Sequence, residues 1–295
     1  MREKNNAEIK ERQKKTSTVL LEFMRHPKKE KDPNKGPREQ LLTEEGRQAA
    51  FKRGQDINPE PAVSVAFGSG QSRTQETSAL TMLANEESLD PSMSLEQMNQ
   101  KIAEELKVGK KIAVEDERLD FNLNGPIGKR GNEMFKAGQY LEFLINESDK
   151  LAKDLGDKES TTYLRHAGNI AEIIYKYTNI GDNFNKAVLK NDKYEKFSNQ
   201  LERYLGTHNS VTEMFVAKII ENTKGEEARN KFLEKLGTGG FKETEGPQVK
   251  IVNEGDSQLI KLTYPLENEE VTININKQDL QKIMEQRKEF EDNIK

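Results

Sequence analysis

Residues 17–27 read STVLLEFMRHP, and this stretch decides the fold. The run from Ser17 to Met24 is short and almost continuously apolar, which is typical of a strand buried on both faces of a parallel sheet. It ends abruptly at Arg25 and His26, and a polar loop with three prolines follows. We therefore expect a central strand whose carboxyl end presents an arginine and a histidine.

More helices and strands are predicted directly after this strand. Residues 43–56 predict a helix that Thr43 caps, and residues 62–67 (AVSVAF) predict a second strand. Ser72 and Gln75 have the spacing of a capping box and open a helix to about residue 85. This alternation indicates βαβ units, so we expect a three-layer α/β/α fold with a mostly parallel sheet. Two further elements are expected, a helix over 95–107 and a strand over 110–115.

In the rest of the chain, the spacing of apolar residues changes twice. Residues 126–199 carry apolar side chains at helical spacing and predict a helical insertion, which is a candidate cap over a site. Residues 201–205 (LERYL) predict a return to the sheet, and Ser210 and Glu213 then form a second capping-box pattern. The expected organisation is a mobile N-terminal arm (1–16), a discontinuous core (17–125 and 200–236), the helical insertion (126–199), and a C-terminal β-hairpin plus helix (237–295).

Composition excludes several classes of protein. The 295 residues are 33% hydrophobic and 33% charged, so we expect a folded core smaller than the chain. No apolar run is long enough for a membrane span or placed as in a secretory signal, so we expect a cytoplasmic protein without a membrane partner. Zero Cys excludes disulfides and cysteine nucleophiles, and the three His lack zinc-site spacing. With a net charge of −4 and interspersed signs, we expect no nucleic-acid partner, and we also expect no metal and no cofactor.

Three predicted strand ends carry residues suited to a phosphate group. Arg25 and His26 follow the first strand, Arg73 opens the helix after the second, and His208 follows the strand over 201–205. In an open α/β sheet, ligands bind beyond the carboxyl ends of the strands, where helix N-termini favour anions. Arginine binds phosphate oxygens bidentately, and a neutral imidazole can attack phosphorus. The pattern favours a phosphate-binding or phosphoryl-transfer site.

Four segments in order resemble the motif set of the histidine phosphatase superfamily, also called the phosphoglycerate-mutase-like family. They are LLEFMRH (20–26), LTEEGRQAA (42–50), GSGQSRTQETSAL (68–80) and GTHNSVTE (206–213). The resemblance covers about residues 17–85 and 200–222. It implies that His26 is the nucleophile that forms a phosphohistidine, and that Arg25, Arg73 and His208 bind and polarise the phosphoryl group, with Asn209 as a further phosphate-binding residue. It further implies a phosphatase that hydrolyses a phosphorylated small molecule or phosphoprotein without a metal.

The sequence departs from the family pattern at two places. Pro27 follows the nucleophile where the family usually has a small residue, which removes a backbone N–H and restricts the loop. The general acid is also unassigned, because Phe121 stands where the family's RLxE pattern has its acid. Within VEDERLDF (114–121), we favour Glu115 as the proton donor, followed by Asp120.

Other interpretations stay open. A phosphomutase would return the phosphoryl group to a substrate, and a non-catalytic phosphate- or phosphoprotein-binding module would explain Pro27 and the unassigned acid. Arg165 and His166 form a second Arg-His pair inside the insertion. We interpret them as helix surface, with a lid that contacts the substrate as the alternative. The lysines of residues 28–31 are interpreted as part of a solvated loop that could attract an anionic substrate.

Overall fold

A computed structural model describes residues 15–57, 61–106 and 109–294. Most of the predicted N-terminal arm, residues 1–14, lies outside the described residues. None of the helices in the described ranges is long and apolar enough to cross a membrane.

The centre of the molecule is a seven-stranded sheet with the order β3-β2-β4-β1-β5-β6-β7. The strands are β1 (Thr16–Arg25), β2 (Val63–Gly68), β3 (Lys110–Glu115), β4 (Gln200–Thr207), β5 (Gln248–Glu254), β6 (Ser257–Leu266) and β7 (Glu269–Ile275). β1 to β4 pair in parallel, whereas β5, β6 and β7 continue the sheet in antiparallel fashion from the other edge of β1. The α/β fold class and the C-terminal hairpin are confirmed. The hairpin is joined to the main sheet by β5, a strand that we did not predict.

Helices cover both faces of this sheet. They are α1 (Glu44–Ile57), α2 (Ser72–Leu83), α3 (Leu95–Lys101), α4 (Gly125–Lys136), α5 (Tyr140–Phe143), α6 (Asp149–Leu155), α7 (Tyr163–Lys190), α8 (Val211–Lys224), α9 (Glu226–Leu236) and α10 (Lys277–Asp292). Short π-helical segments continue α3 (Ile102–Leu106) and α5 (Leu144–Ser148), and 3-10 turns form at Glu117–Leu119 and Asp192–Phe197.

Alternation along β1 sets the two hydrophobic layers. Val19, Leu21 and Phe23 belong to the larger core, which also contains the buried faces of α7, α8 and α10. Met24 belongs to the smaller core under α1 and α2. Because successive strand residues point to opposite faces, one buried strand supports both layers, and the three-layer arrangement is confirmed.

The helical insertion is confirmed, and its longest helix is part of the main architecture. α7 packs on β1 and β5 of the sheet and on α8 and α10. Arg165 and His166 near its start are buried, with 6% and 0% of their surfaces exposed. The interpretation of these two residues as helix surface is therefore wrong. The reason is that neighbouring elements cover this end of α7 on more than one side.

Two glycines at the strand ends allow α2 to approach the sheet closely. A Cβ atom at Gly206 would lie 2.0 Å from the backbone oxygen of Thr74, and one at Gly68 would lie 2.6 Å from the backbone nitrogen of Gln75. Larger side chains would push the first turn of α2 away from β2 and β4. The predicted capping box at Ser72 does not form, since α2 begins after Gln71 with no side-chain cap. The first turn of α2 instead packs directly against the strand ends at Gly68 and Gly206.

Candidate functional site

The parallel register brings four strand ends to one edge of the sheet. Arg25 at the end of β1 lies opposite Thr207 of β4, and Gly68 of β2 lies opposite both Gly206 of β4 and Glu115 of β3. The next backbone contact continues this pattern, because the N–H of His26 donates to the carbonyl of Thr207 over 2.9 Å. The residues singled out at separate points of the sequence therefore converge at one place.

His26 is fixed in one tautomer by its two hydrogen bonds. Its Nδ1 lies 2.8 Å from the carbonyl oxygen of Pro27, which can only accept, so Nδ1 carries the proton. Its Nε2 accepts a hydrogen bond from Nε of Arg73, which can only donate, over 3.1 Å, so Nε2 carries no proton. Burial lowers the pKa of His26 to about 3, and the neighbouring cationic groups add to this effect. The ring is neutral at neutral pH.

Pro27, which departs from the motif that the sequence resembles, contacts the ring of His26. It removes a backbone N–H from the loop, as expected. Its carbonyl oxygen, however, orients the imidazole of His26. A neutral histidine whose tautomer is set by a backbone carbonyl is a familiar arrangement for histidine ligands and nucleophiles.

Arg73 reaches His26 from the first turn of α2. Its side chain is 6% exposed, and its Nη1 donates to the carbonyl of Pro37 over 2.8 Å. The loop before α1 and the histidine after β1 thus hold the guanidinium from two sides. This fixed donor group can bind oxygens of a phosphoryl group beside Nε2 of His26.

His208 completes the imidazole pair. Its ring centroid lies 5.2 Å from that of His26, and the two rings are nearly perpendicular. Its Nε2 lies 2.9 Å from the hydroxyl of Ser69 and 3.6 Å from Oδ1 of Asp120. Burial lowers the pKa of His208, and the carboxylate of Asp120 opposes that shift. Ser69 is a site residue that the sequence did not single out, although it lies inside the GSG segment at the end of β2.

Arg25 is held differently from Arg73. Its Nη1 donates to the carbonyls of Gly239 and Phe241, over 2.9 and 2.8 Å. The loop that supplies these carbonyls also packs on Glu213, whose buried carboxylate accepts the N–H of Phe241 over 3.0 Å. Arg25 therefore lies at the site, but one of its nitrogens is engaged by the backbone of the loop before β5. The sequence offered only the Gly-rich composition of residues 237–240 as a signal for this contact.

The two candidate proton donors have different environments. Asp120 lies beside His208, and its Oδ1 accepts the side-chain amide of Gln71 and the N–H of Phe121, each over 2.8 Å. Glu115 is exposed, and its carboxylate lies against Gly70. Only Asp120 therefore contacts the imidazole pair.

Asp120 is ionised in this arrangement. Burial alone would raise its pKa, but interactions with His208 and Gln71 outweigh burial and bring the pKa of Asp120 down to about 2. Arg38 also approaches the outer oxygen of this carboxylate, over 3.4 Å. Asp120 can act as a proton donor only after a nearby negative charge, such as a phosphate dianion, has raised its pKa.

Asn209 follows His208, and its Oδ1 lies close to Gly240 of the loop before β5. Among the described residues, this buried oxygen has no hydrogen-bond partner. The capping box expected at Ser210 does not form, because Ser210 has a positive φ of 76° and its hydroxyl bonds no backbone group. A left-handed residue at this position turns the chain sharply between β4 and α8.

Lys29 is a cation of the site, and the sequence indicates it as one lysine of a solvated loop that could attract an anionic substrate. Burial and then the positive charge of Arg73 lower the pKa of Lys29, and Lys29 in turn lowers the pKa of His208. In the described part of the chain, its ammonium makes no ion pair. In the sequence, the indication that Lys29 belongs to the site is its position three residues after His26.

The site contains cations and neutral imidazoles beside one carboxylate. Within the described ranges, no group of three or more His, Asp or Glu side chains is arranged to hold a metal ion. These groups can bind a phosphate dianion, attack phosphorus from Nε2 of His26 and exchange a proton at Asp120.

The neutral state of the buried histidines gives a testable pH dependence. The pKa values of His26 and of the fully buried His166 are both lowered to about 3. Both rings should therefore stay uncharged as the pH falls from 8 to 5, where an ordinary histidine gains its proton at about 6.5. The Cε1–H shifts in NMR spectra of the folded protein measure this, with assignment by His26→Ala. Urea-unfolded protein is the control, and a folded-state midpoint near 6.5 for His26 would contradict the assignment.

Comparisons with known proteins were made for the whole chain. No protein-family profile matches it. No curated protein matches it either. Among solved structures, it is similar to phosphoglycerate mutase from Bacillus anthracis str. Sterne, with 14% identity, coverage of 92% of this chain and 98% of that chain, and a TM-score of 0.44. It is also similar to mycobacterial glucosyl-3-phosphoglycerate phosphatase, with 11% identity, coverage of 84% and 97%, and a TM-score of 0.37. A third such structure, mycobacterial hydrolase 1, has 12% identity, coverage of 84% and 96%, and a TM-score of 0.42.

Proposed function

We propose that the protein is a phosphomonoester hydrolase that acts through a phosphohistidine on His26, without a metal ion. The observation that carries this proposal is the pair of contacts on the His26 ring. The carbonyl of Pro27 accepts a hydrogen bond from Nδ1–H, and Nε of Arg73 donates one to Nε2. Nε2 is unprotonated and oriented, and its lone pair becomes free for attack on phosphorus when the N–H of Arg73 turns from Nε2 to an oxygen of the bound phosphate ester.

In the first step, Nε2 of His26 attacks phosphorus in line with the ester oxygen. The N–P bond forms, the P–O bond to the leaving alcohol breaks, and the bonding pair leaves with that oxygen. Arg73, Lys29 and His208 surround the place where the equatorial oxygens carry charge. Fixed donors of this kind stabilise the charge that the transition state spreads over those oxygens.

Asp120 is the proposed proton donor to the leaving oxygen, in place of Glu115. It lies 3.6 Å from the ring of His208, whereas Glu115 is exposed next to Gly70. A bound phosphate dianion raises the pKa of Asp120 from about 2 and allows it to hold a proton. In the second step, Asp120 takes a proton from water as that water attacks phosphorus, the P–N bond breaks, and inorganic phosphate forms.

The nucleophile is tested with p-nitrophenyl phosphate and an excess of chelator. We expect wild-type protein to release p-nitrophenol and His26→Ala to lose activity by about 10³-fold or more. Arg73→Lys should lose about 10²-fold in kcat, because lysine does not reproduce the planar donor pair. Arg130→Lys is the matched control, since Arg130 is a partly exposed arginine of α4 that pairs with Glu147.

The outcomes separate the open interpretations. Equal turnover by wild type and His26→Ala would contradict the assignment of the nucleophile. If no variant turns over but inorganic phosphate raises the melting temperature, the protein is a phosphate-binding module. Transfer of the phosphoryl group to an acceptor alcohol without release of phosphate would identify a mutase.

The proton donor is tested with two substrates that differ in leaving group. An alkyl phosphate needs a proton on its leaving oxygen, whereas p-nitrophenolate leaves without one. Asp120→Asn should therefore lower kcat for the alkyl ester by about 10² to 10⁴-fold and affect the aryl ester far less. Glu115→Gln is the matched control and should leave both rates within about twofold. The opposite pattern, with the alkyl rate lost in Glu115→Gln, would overturn the choice of Asp120.

A further inference from the structure

Ser69 contacts His208 through a short chain of hydrogen bonds at the end of β2. Its hydroxyl lies 2.9 Å from Nε2 of His208 and 3.1 Å from the hydroxyl of Thr74. The hydroxyl of Thr74 donates to the carbonyl of Gln71 over 2.7 Å, and the backbone N–H of Gln71 donates to Oγ of Ser69 over 3.3 Å. Ser69, Thr74 and His208 are all buried, so these contacts are shielded from water.

Each contact in this chain has one direction, because a hydroxyl carries a single proton. Thr74 directs its proton to the carbonyl of Gln71, so its oxygen accepts the hydrogen bond from Ser69. Ser69 has then used its proton, so its oxygen accepts the hydrogen bond from Nε2 of His208. Nε2 of His208 therefore carries a proton and donates to Ser69.

The same N–H of His208 has a second acceptor nearby. Oδ1 of Asp120 lies 3.6 Å from Nε2, which is beyond hydrogen-bond length. This oxygen already accepts the side-chain amide of Gln71 and the N–H of Phe121, each over 2.8 Å. Two donors occupy the two lone pairs of a carboxylate oxygen. Ser69 is therefore the main acceptor of the Nε2 proton, and Asp120 is the weaker one.

The distance between His208 and Asp120 decides the charge on both groups. At hydrogen-bond contact, a buried imidazole and a carboxylate form an ion pair, which favours a proton on the ring and a negative charge on the carboxylate. An Asp120 held in that pair would have no proton to give to a leaving oxygen. With Ser69 as the partner of Nε2, the imidazole stays neutral and Asp120 can gain a proton when a phosphate dianion binds.

The other titratable groups around His208 do not favour a positive charge on its ring. Burial lowers the pKa of His208 most, and the positive charges of Arg73 in α2 and Lys29 in the loop after β1 add to this effect. His26 after β1 and His166 in α7 have pKa values lowered to about 3, so both rings are neutral at neutral pH. The charge of Asp120 acts in the opposite direction and raises the pKa of His208.

Resting on the hydrolase proposed above, we propose that Ser69 is a positioning residue whose hydroxyl holds the Nε2–H of His208 away from Asp120. The imidazole then stays neutral, and Asp120 stays free to protonate the leaving oxygen. Ser69 acts through these two side chains. Thr74 contributes because it accepts the proton of Ser69 and so fixes the direction of that hydroxyl.

The position of His208 is measured by its NMR titration in Ser69→Ala, which requires no turnover. Without the hydroxyl, the Nε2–H turns to Asp120, so the midpoint of the His208 Cε1–H signal should rise by about one pH unit or more. His208→Ala assigns the signal. Ser78→Ala is the matched control, because the hydroxyl of Ser78 is buried in α2 and bonds carbonyls of its own helix. It should leave the midpoint unchanged.

Asp120→Asn isolates the cause of the shift. Asparagine forms no ion pair with His208, so Ser69→Ala added to Asp120→Asn should leave the His208 midpoint where Asp120→Asn alone puts it. Catalysis should show the same dependence. Ser69→Ala should lower kcat for butyl phosphate by about tenfold and affect p-nitrophenyl phosphate far less. This loss should vanish when Ser69→Ala is added to Asp120→Asn, and Ser78→Ala should change neither ester.

The outcomes separate this inference from the hydrolase. A His208 midpoint in Ser69→Ala that is unchanged or lower would overturn the role of Ser69, as would an equal rise in the Asp120→Asn background or an equal loss on both esters. If wild type hydrolyses both esters and the midpoint does not rise, only the role of Ser69 is wrong. If wild type hydrolyses neither ester while the midpoint rises, the hydrolase is wrong and the positioning of His208 by Ser69 is supported.

Discussion

The close approach of α2 to the ends of β2 and β4 is the constraint on which the site depends. It is possible because Gly68 and Gly206 carry no Cβ, and the backbone of Thr74 occupies the space that a side chain at Gly206 would need. Arg73 lies in that first turn, so the approach places its guanidinium on Nε2 of His26. A helix set even one ångström farther away would separate the two groups that the proposed chemistry requires together.

Burial and nearby positive charges set the pKa values of the histidines at this edge of the sheet. The charges that an incoming phosphate would meet are those of Arg25, Arg73 and Lys29, and they help to keep the two imidazoles neutral. The carboxylate of Asp120, which contacts His208, is stabilised as an anion by its own donors. His26 therefore stays neutral, as a nucleophile must. Asp120 holds a proton only when a bound anion raises its pKa.

The sequence predicts those elements whose formation depends on residues close together in the chain. The apolar run before Arg25 predicts β1, residues 110–115 predict β3, and the order of the strand ends predicts which residues converge. β5 was not predicted although local signals were present, since its burial alternates and it pairs with β6 across a tight turn at Gly255. Its pairing with β1, more than two hundred residues away in sequence, has no such local signal. The burial of His166 escaped prediction for a related reason. Periodicity defines one face of α7, but α10 also packs on this helix, at Gly168, and Phe121 stacks on His166. The hydrogen bonds from Arg25 to the carbonyls of Gly239 and Phe241 could not be predicted, because a backbone acceptor leaves no residue-type pattern in the sequence.

The central claim is that the phosphoryl group passes through Nε2 of His26. Rapid alkaline quenching of wild-type protein during turnover, followed by peptide mass spectrometry, measures this directly. We expect one phosphoryl group on the peptide that contains His26, stable in alkali and labile in acid, and absent from His26→Ala. Turnover without a phosphorylated peptide, or with the phosphoryl group on His166 or His208, would contradict it.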